Sequence, residues 1–161
     1  IRQDKYSVAV RIPEWNVAHS DEKYDEDYSN LNTFKVAHRG SKVAIIAVGD
    51  FYQKGENVQK ALAADGIDAT LINPRYLTGT DEALLNDLKC DHNLVVTIED
   101  GSLDGGFGER IARFYGPSAV RVMNFGVRKA LYDRYDVNEL MRENHLTDEQ
   151  ITTDIKRELV S

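Results

Sequence analysis

Residues 43–48 read VAIIAV, an uninterrupted apolar run in which four of the six side chains are β-branched. Such a run is typical of a strand that is covered on both faces, as in a parallel sheet. Just before it, residues 34–38 (FKVAH) predict a second strand, and residues 39–41 (RGS) place a glycine between the two. Two strands joined this tightly indicate a β-hairpin, so we expect one antiparallel strand at the edge of the sheet.

Strands and helices alternate along the rest of the chain. Helices are predicted over 55–64, ending at Gly66, over 105–115 and from 147 onward, and strands over 67–72, 94–98 and 120–123. Thr80 is expected to cap a further short helix, while residues 147–150 (TDEQ) form a capping box with Leu146 and Ile151 as its hydrophobic staple. This alternation predicts a three-layer α/β/α fold with a mostly parallel sheet of about five strands.

Composition excludes several classes of function. The 161 residues include 20 basic and 27 acidic side chains, and the net charge of −7 argues against binding to nucleic acid or to an anionic membrane surface. No apolar stretch approaches the ~18 residues of a membrane span, and no secretory signal opens the chain. The single Cys90 cannot form an internal disulfide and suits a reducing compartment, so we expect a cytoplasmic protein.

The first 33 residues differ in character from the rest. The chain begins without Met, and residues 6–12 (YSVAVRI) predict a strand that has no neighbour close in sequence, which indicates a piece of a longer protein. Residues 14–33 carry six acidic side chains against Lys23 and read as a solvated linker. The alternative is a docking strap anchored by Trp15, Tyr24 and Tyr28.

The run at 99–108 (EDGSLDGGFG) lies between a predicted strand and a predicted helix, where α/β folds bind phosphates. Its glycine spacing is not G-x-G-x-x-G, no Lys-Ser/Thr pair follows, and its three acidic residues would repel a phosphate. The favoured interpretation is that the glycines let the helix pack closely on the sheet. The four histidines and Cys90 show no metal-ligand or nucleophile spacing, so no metal site or catalytic residue is predicted.

Five segments together resemble the C-terminal domain of the transketolase superfamily, and they are most similar to the 1-deoxy-D-xylulose-5-phosphate synthases. The resemblance covers about residues 34–161 and is specific because the segments occur in order and at family spacing. They are VAIIAVGD at 43–50, ADGIDATLINPRYL at 64–77, TDEALL at 80–85, DHNLVVTIEDGSLDGGFG at 91–108 and HLTDEQI at 145–151. The resemblance implies that residues 1–13 end a preceding pyrimidine-binding domain and that 14–33 form the interdomain linker.

For the whole enzyme, the resemblance implies a homodimer that depends on thiamine diphosphate and Mg²⁺. It would decarboxylate pyruvate and transfer the two-carbon unit to an aldehyde phosphate. Thiamine-diphosphate enzymes hold the divalent ion with a Gly-Asp-Gly and a later Asn, but here Gly49-Asp50 is followed by Phe51, and Asn73 is at best accidental. The cofactor residues would therefore lie in the missing domains, and we expect the chain alone to be inactive and to serve packing, dimerisation or regulation.

Few site residues carry over from the family. Arg11 matches the first arginine of a family motif and is the one substrate-binding candidate. The second arginine of that motif, which contacts the substrate phosphate, is replaced by Glu14, and a carboxylate cannot bind a dianion. That departure keeps open a transketolase or the β-subunit of a 2-oxoacid dehydrogenase. A third alternative is a non-catalytic interaction module. The predicted interface residues are Glu99, Asp100, Gly105, Gly106, Phe107 and Gly108.

Overall fold

The computed structural model describes residues 7–10, 12 and 29–160. Arg11, Glu14 and the three aromatic residues of the proposed strap lie outside the described residues. No strand forms within 7–10 and 12, where Val8, Val10 and Ile12 are exposed. Because a strand requires a hydrogen-bonded partner, the assignment of residues 1–13 to a preceding domain stays a prediction.

A five-stranded sheet with helices on both faces organises the described chain and confirms the predicted α/β/α class. The spatial order of the strands is β1-β3-β2-β4-β5; β1 is antiparallel to β3, and the other neighbouring pairs are parallel. The strands are β1 (Lys35–His38), β2 (Lys42–Ala47), β3 (Thr70–Asn73), β4 (His92–Ser102) and β5 (Arg121–Val127). The helices are α1 (Tyr52–Ala64), α2 (Glu82–Leu88), α3 (Phe107–Tyr115), α4 (Val137–Glu143) and α5 (Asp148–Val160).

Two hydrophobic cores cover the two faces of the sheet. Alternate residues of β2 supply both, with Val43 and Ile45 in one core and Ala44 and Ile46 in the other, all fully buried. The first core packs α1 and α5 on the sheet through Val58, Leu62, Ile151 and Ile155, and the second packs α2 and α3 through Leu85, Leu88, Ile111 and Tyr115. The continuous apolar run of β2 therefore reflects burial on both faces, as predicted.

The predicted hairpin between β1 and β2 is wrong, although β1 is the antiparallel edge strand. β1 pairs with β3, and the connection from β1 to β2 crosses the amino end of β3. There Ser41 N donates to Asp68 O at 2.8 Å, and a Cβ on Gly40 would overlap that same carbonyl group. Gly40 therefore allows the β1–β2 connection to pass close to the Asp68 backbone, and it does not form the turn of a β-hairpin. The spacing of residues in the sequence does not distinguish these two roles.

A buried histidine, His92, hydrogen-bonds to the point at which the β1–β2 connection crosses β3. His92 is 2% exposed, and its Nδ1 faces two acceptors, Asp91 Oδ1 at 2.5 Å and Leu88 O at 3.2 Å, so Nδ1 carries the hydrogen. Its Nε2 then accepts from Thr70 Oγ1 at 2.8 Å, and that hydroxyl accepts from Gly40 N at 2.9 Å. This chain of hydrogen bonds connects β4, β3 and the β1–β2 connection.

An exposed ion-pair cluster extends the same network to the surface. Arg39 donates to both oxygens of Asp91, at 3.0 and 3.1 Å, and to Asp87 at 2.8 Å. Burial alone would raise the pKa of Asp91, but the hydrogen bonds from Arg39 and His92 and the charge of Arg39 outweigh it and hold that pKa below its usual value. The cluster fastens α2 and the start of β4 to the β1–β2 connection.

Several boundaries differ from those predicted. α1 begins at Tyr52 rather than at 55, directly after a 3₁₀ turn (Gly49–Phe51), and it ends before Gly66 at φ +79°, as predicted. The cap of α2 is Asp81, not Thr80, because the Asp81 carboxylate accepts from Leu84 N. β4 continues to Ser102, beyond the predicted end at 98. α4 is not predicted from the sequence, because Leu140 is its single buried residue and one residue gives no helical spacing of apolar positions.

The capping box of α5 is confirmed. Gln150 N donates to Thr147 Oγ1 at 3.2 Å, and Gln150 Oε1 accepts from Thr147 N at 3.4 Å. Leu146 and Ile151, the predicted staple, are both fully buried in the first core. The cap thus fixes the start of the last helix against α1.

Candidate functional site at the carboxyl edge of the sheet

The 99–108 segment comprises the last four residues of β4, a four-residue connection and the first two residues of α3, at the carboxyl edge of the sheet. The side chain of Glu99, 5% exposed, turns back toward the first turn of α3. Its Oε2 accepts from Phe107 N at 2.9 Å and its Oε1 accepts from Gly108 N at 2.8 Å. These are two of the free N–H groups that make a helix N-terminus attractive to anions. The position at which a phosphate would bind is therefore occupied by a carboxylate of the chain itself.

Two glycines make this arrangement possible by close packing. A Cβ on Gly106 would overlap the Ser102 carbonyl oxygen and lie 2.6 Å from Glu99 Oε1. A Cβ on Gly108 would overlap Thr97 Oγ1 and lie 2.8 Å from the side-chain amide of Asn124. The interpretation of the glycines as packing positions is consistent with these distances. Gly105 differs, since its φ of +75° is a backbone conformation that favours glycine.

The predicted interface residues divide into buried and accessible ones. Glu99, Phe107 and Gly108 are buried within the chain, and the ring of Phe107 lies 6.0 Å from that of Phe34. Asp100 and Gly106 are half-buried, and Gly105 is exposed. Their role in an interface stays a prediction.

Sequence reasoning missed a polar pair that supports the site. Thr97 Oγ1 donates to Asn124 Oδ1 at 2.8 Å across β4 and β5, directly under Gly108. The signal was available, because Asn124 interrupts an apolar strand (VMNF at 122–125), and a polar residue there needs a partner. Ser102 Oγ, nearby, is buried and has no hydrogen-bond partner among the described residues.

The end of β2 offers no cofactor site either. Gly49 has φ +57° and begins the 3₁₀ turn, and the side chain of Phe51 points into the first core at 8% exposure. Within 7–10, 12 and 29–160, no group of three or more His, Cys, Asp or Glu side chains could hold a metal ion. The described residues therefore do not fit a thiamine diphosphate with its Mg²⁺.

The remaining candidates of the sequence analysis lie apart from this edge. Cys90 is exposed just after α2, and His92 lies where the β1–β2 connection crosses the amino end of β3. An open depression of about 390 Å³ between α1, α4 and α5 is lined by Lys54 and Asp148, which already bond to each other at 3.1 Å. None of the helices in the described part of the chain has the length and hydrophobicity of a membrane span.

Comparison with known proteins identifies the family. Residues 32–151 match the model of the transketolase C-terminal domain. The chain belongs to that family, and its fold agrees with solved members. A split-gene transketolase, solved as an inactive β4 tetramer, superposes with a TM-score of 0.71 at 25% identity, covering 80% of this chain and 42% of that one. Transketolase from Pichia stipitis superposes at 0.54 with 13% identity, covering 78% of this chain and 18% of that one, and supports the fold alone.

Within the family, the curated relatives show which enzymes the chain is similar to. The 1-deoxy-D-xylulose-5-phosphate synthase of Alkaliphilus oremlandii is 34% identical over 94% of this chain, and that of Pseudoalteromonas translucida is 31% identical over 92%. This confirms the predicted resemblance to these synthases. The chain spans 24% of the length of each of these two relatives.

Proposed function

We propose that this chain is the C-terminal domain of a longer 1-deoxy-D-xylulose-5-phosphate synthase that works as a homodimer with thiamine diphosphate and Mg²⁺. The longer protein decarboxylates pyruvate and transfers the two-carbon unit to an aldehyde phosphate. The observation that carries the proposal is the identity of 34% and 31%, over more than nine tenths of the chain, with two proteins of that name. In this proposal, the domains that precede residue 34 hold the cofactor.

The role of the domain itself follows from its carboxyl edge. In an α/β sheet this edge is where a ligand ordinarily binds. Here the Glu99 carboxylate accepts hydrogen bonds from two backbone N–H groups at the N-terminus of α3. The side chain of Phe51, which follows β2, is buried in the first core. These contacts support a packing and assembly domain that is inactive alone. Arg11, in the segment before the linker, is the one substrate-binding candidate of the chain. Residues 1–13 are proposed to complete the preceding domain, and 14–33 to link it to this one.

A transketolase is the second candidate function. The position that matches the second arginine of the family motif is Glu14, which cannot contact a substrate phosphate as an arginine does. The split-gene transketolase, at 25% identity and a TM-score of 0.71, also favours this candidate. The two candidates share the cofactor and differ in the donor, because only the synthase consumes pyruvate.

Calorimetric titration of thiamine diphosphate in the presence of Mg²⁺ tests the proposal. The full-length protein is expected to bind the cofactor with a dissociation constant in the micromolar range or below, corresponding to about −8 kcal/mol. The 161-residue chain is expected to give no binding heat, since its described residues offer no site. Binding by the 161-residue chain, or no binding by the full-length protein, would contradict the proposal.

A further inference from the structure

Residues 32–34, which directly precede β1, form a segment that we call the entry latch. Two side chains from the connection between β3 and α2 bind its backbone. The Arg75 guanidinium donates two hydrogen bonds to Thr33 O, at 2.9 and 3.2 Å, and Phe34 N donates to Asp81 Oδ2 at 2.9 Å. The other carboxylate oxygen of Asp81 is the N-cap of α2. The start of β1 and the start of α2 therefore share one carboxylate.

Backbone strain opposes this docked arrangement. Asn32 has φ +59° and Arg75 has φ +57°, in the left-handed region that residues other than glycine rarely adopt. The Asn32 side chain accepts from Thr78 Oγ1 at 2.7 Å, and it lies where a Cβ on Gly79 would overlap it. Strained residues persist only where surrounding contacts impose their conformation, and they are typical of segments that switch between two states.

The docked latch supports the first turn of α3. Phe34 and Phe107 are 5% and 6% exposed, and their rings lie 6.0 Å apart in the second core. Phe107 N and Gly108 N are the two groups that donate to the Glu99 carboxylate. Release of the latch would withdraw the Phe34 ring and leave one side of Phe107 without packing partners. The latch is therefore connected to the hydrogen bonds that fix the N-terminus of α3.

We propose that the entry latch is a conformational switch, whose docked state holds the N-terminus of α3 on Glu99 and whose released state loosens it. The contacts that carry this inference lie within the described residues, and it does not depend on the proposed function. β1 suits such a switch because it is an edge strand, and its register with β3 is irregular between Val36 and His38. Coupling of this kind is reciprocal, so a change at Glu99 must also alter the latch.

Amide hydrogen exchange of the 161-residue chain, measured residue by residue by NMR, tests the proposal. Asp81→Asn retains an oxygen that can cap α2, but it places an amide group, which cannot accept, opposite Phe34 N. We expect the exchange of the Phe107 and Gly108 amides to become about 10-fold faster, because the first turn of α3 opens more often.

Two further variants control for the chemistry of this substitution. Asp136→Asn makes the same change at the N-cap of α4, where the carboxylate accepts from Glu139 N at 2.9 Å, and it should leave the first turn of α3 unchanged. Thr78→Val removes the donor to Asn32 from an exposed position and leaves the cap of α2 intact. It should accelerate exchange in the first turn of α3, as Asp81→Asn does.

The reverse experiment uses Glu99→Gln, which should accelerate exchange of the Phe34 amide as well as those of Phe107 and Gly108. Unchanged exchange of Phe107 and Gly108 in Asp81→Asn and Thr78→Val, or an equal acceleration in Asp136→Asn, overturns the proposal. An unchanged Phe34 amide in Glu99→Gln overturns it as well. So does an equal acceleration at Ile45 in the centre of the sheet, since the variants would then destabilise the whole domain.

Discussion

Gly106→Val is expected to lower the free energy of unfolding by about 3 kcal/mol or more, because it forces a side chain into a closely packed turn. The new side chain would begin with a Cβ that overlaps the Ser102 carbonyl oxygen and lies 2.6 and 2.8 Å from the Glu99 carboxylate oxygens. Relief of the overlap requires the Ser102 backbone or the Glu99 side chain to move. A displaced Glu99 would leave the N–H groups of Phe107 and Gly108 without their acceptor. Urea denaturation of the 161-residue chain, followed by circular dichroism, measures the change.

Gly116→Val is the matched control for this substitution. Gly116 ends the same helix, and a Cβ there would meet its nearest atom, Arg113 O, at 3.5 Å, which is ordinary contact. We expect a loss below ~1 kcal/mol, as for most exposed substitutions. If both variants unfold at the same urea concentration as the wild-type chain, the close packing of α3 on β4 does not contribute to the stability of the domain.

Glu99→Ala is expected to lower the free energy of unfolding by at least about 2 kcal/mol. The carboxylate accepts from two buried backbone N–H groups, of Phe107 and Gly108, and alanine leaves both without a partner. An unsatisfied buried donor costs roughly 1–3 kcal/mol, and the lost negative charge at the helix N-terminus adds to that. Glu99→Gln should lose less, because its amide oxygen can still accept from one of the two groups. The same urea denaturation measures both variants.

Glu109→Ala provides the control for Glu99. Glu109 is exposed on α3 and accepts from Gly105 N at 2.6 Å, so it is also a carboxylate that caps a backbone group. Because water can replace it, we expect a loss below ~1 kcal/mol. Equal losses for Glu99→Ala and Glu109→Ala would show that burial of the Glu99 carboxylate is not what stabilises α3.

The sequence predicted the layers of the fold better than it predicted the strand pairing. The apolar run of β2, the stop at Gly66 and the capping box at 147–150 each depend on residues close in sequence, and all three are confirmed. The hairpin failed because the partner of β1 is set by Asp68 and Thr70, which lie about 30 residues away. Local spacing contains no information on such a crossing.

The candidate site was predictable in position but not in detail. The sequence pattern groups Glu99 with acidic residues that would repel a phosphate, and it does not reveal that Glu99 is itself the anion at α3. The distinction depends on the direction of the Glu99 side chain, which occupies the last buried position of β4. The strand pattern does not give that direction. Asp81 and Thr80 show the same limit, since both residue types cap helices and only the structure shows which one does.

The release of carbon dioxide from pyruvate by the full-length protein, with and without glyceraldehyde 3-phosphate, tests the central claim most directly. With thiamine diphosphate and Mg²⁺ present, we expect decarboxylation that depends on the aldehyde, which would also show that Glu14 is tolerated in place of the family arginine. Cofactor binding without aldehyde-dependent release of carbon dioxide would contradict the assignment to the synthases and favour transketolase or dehydrogenase chemistry.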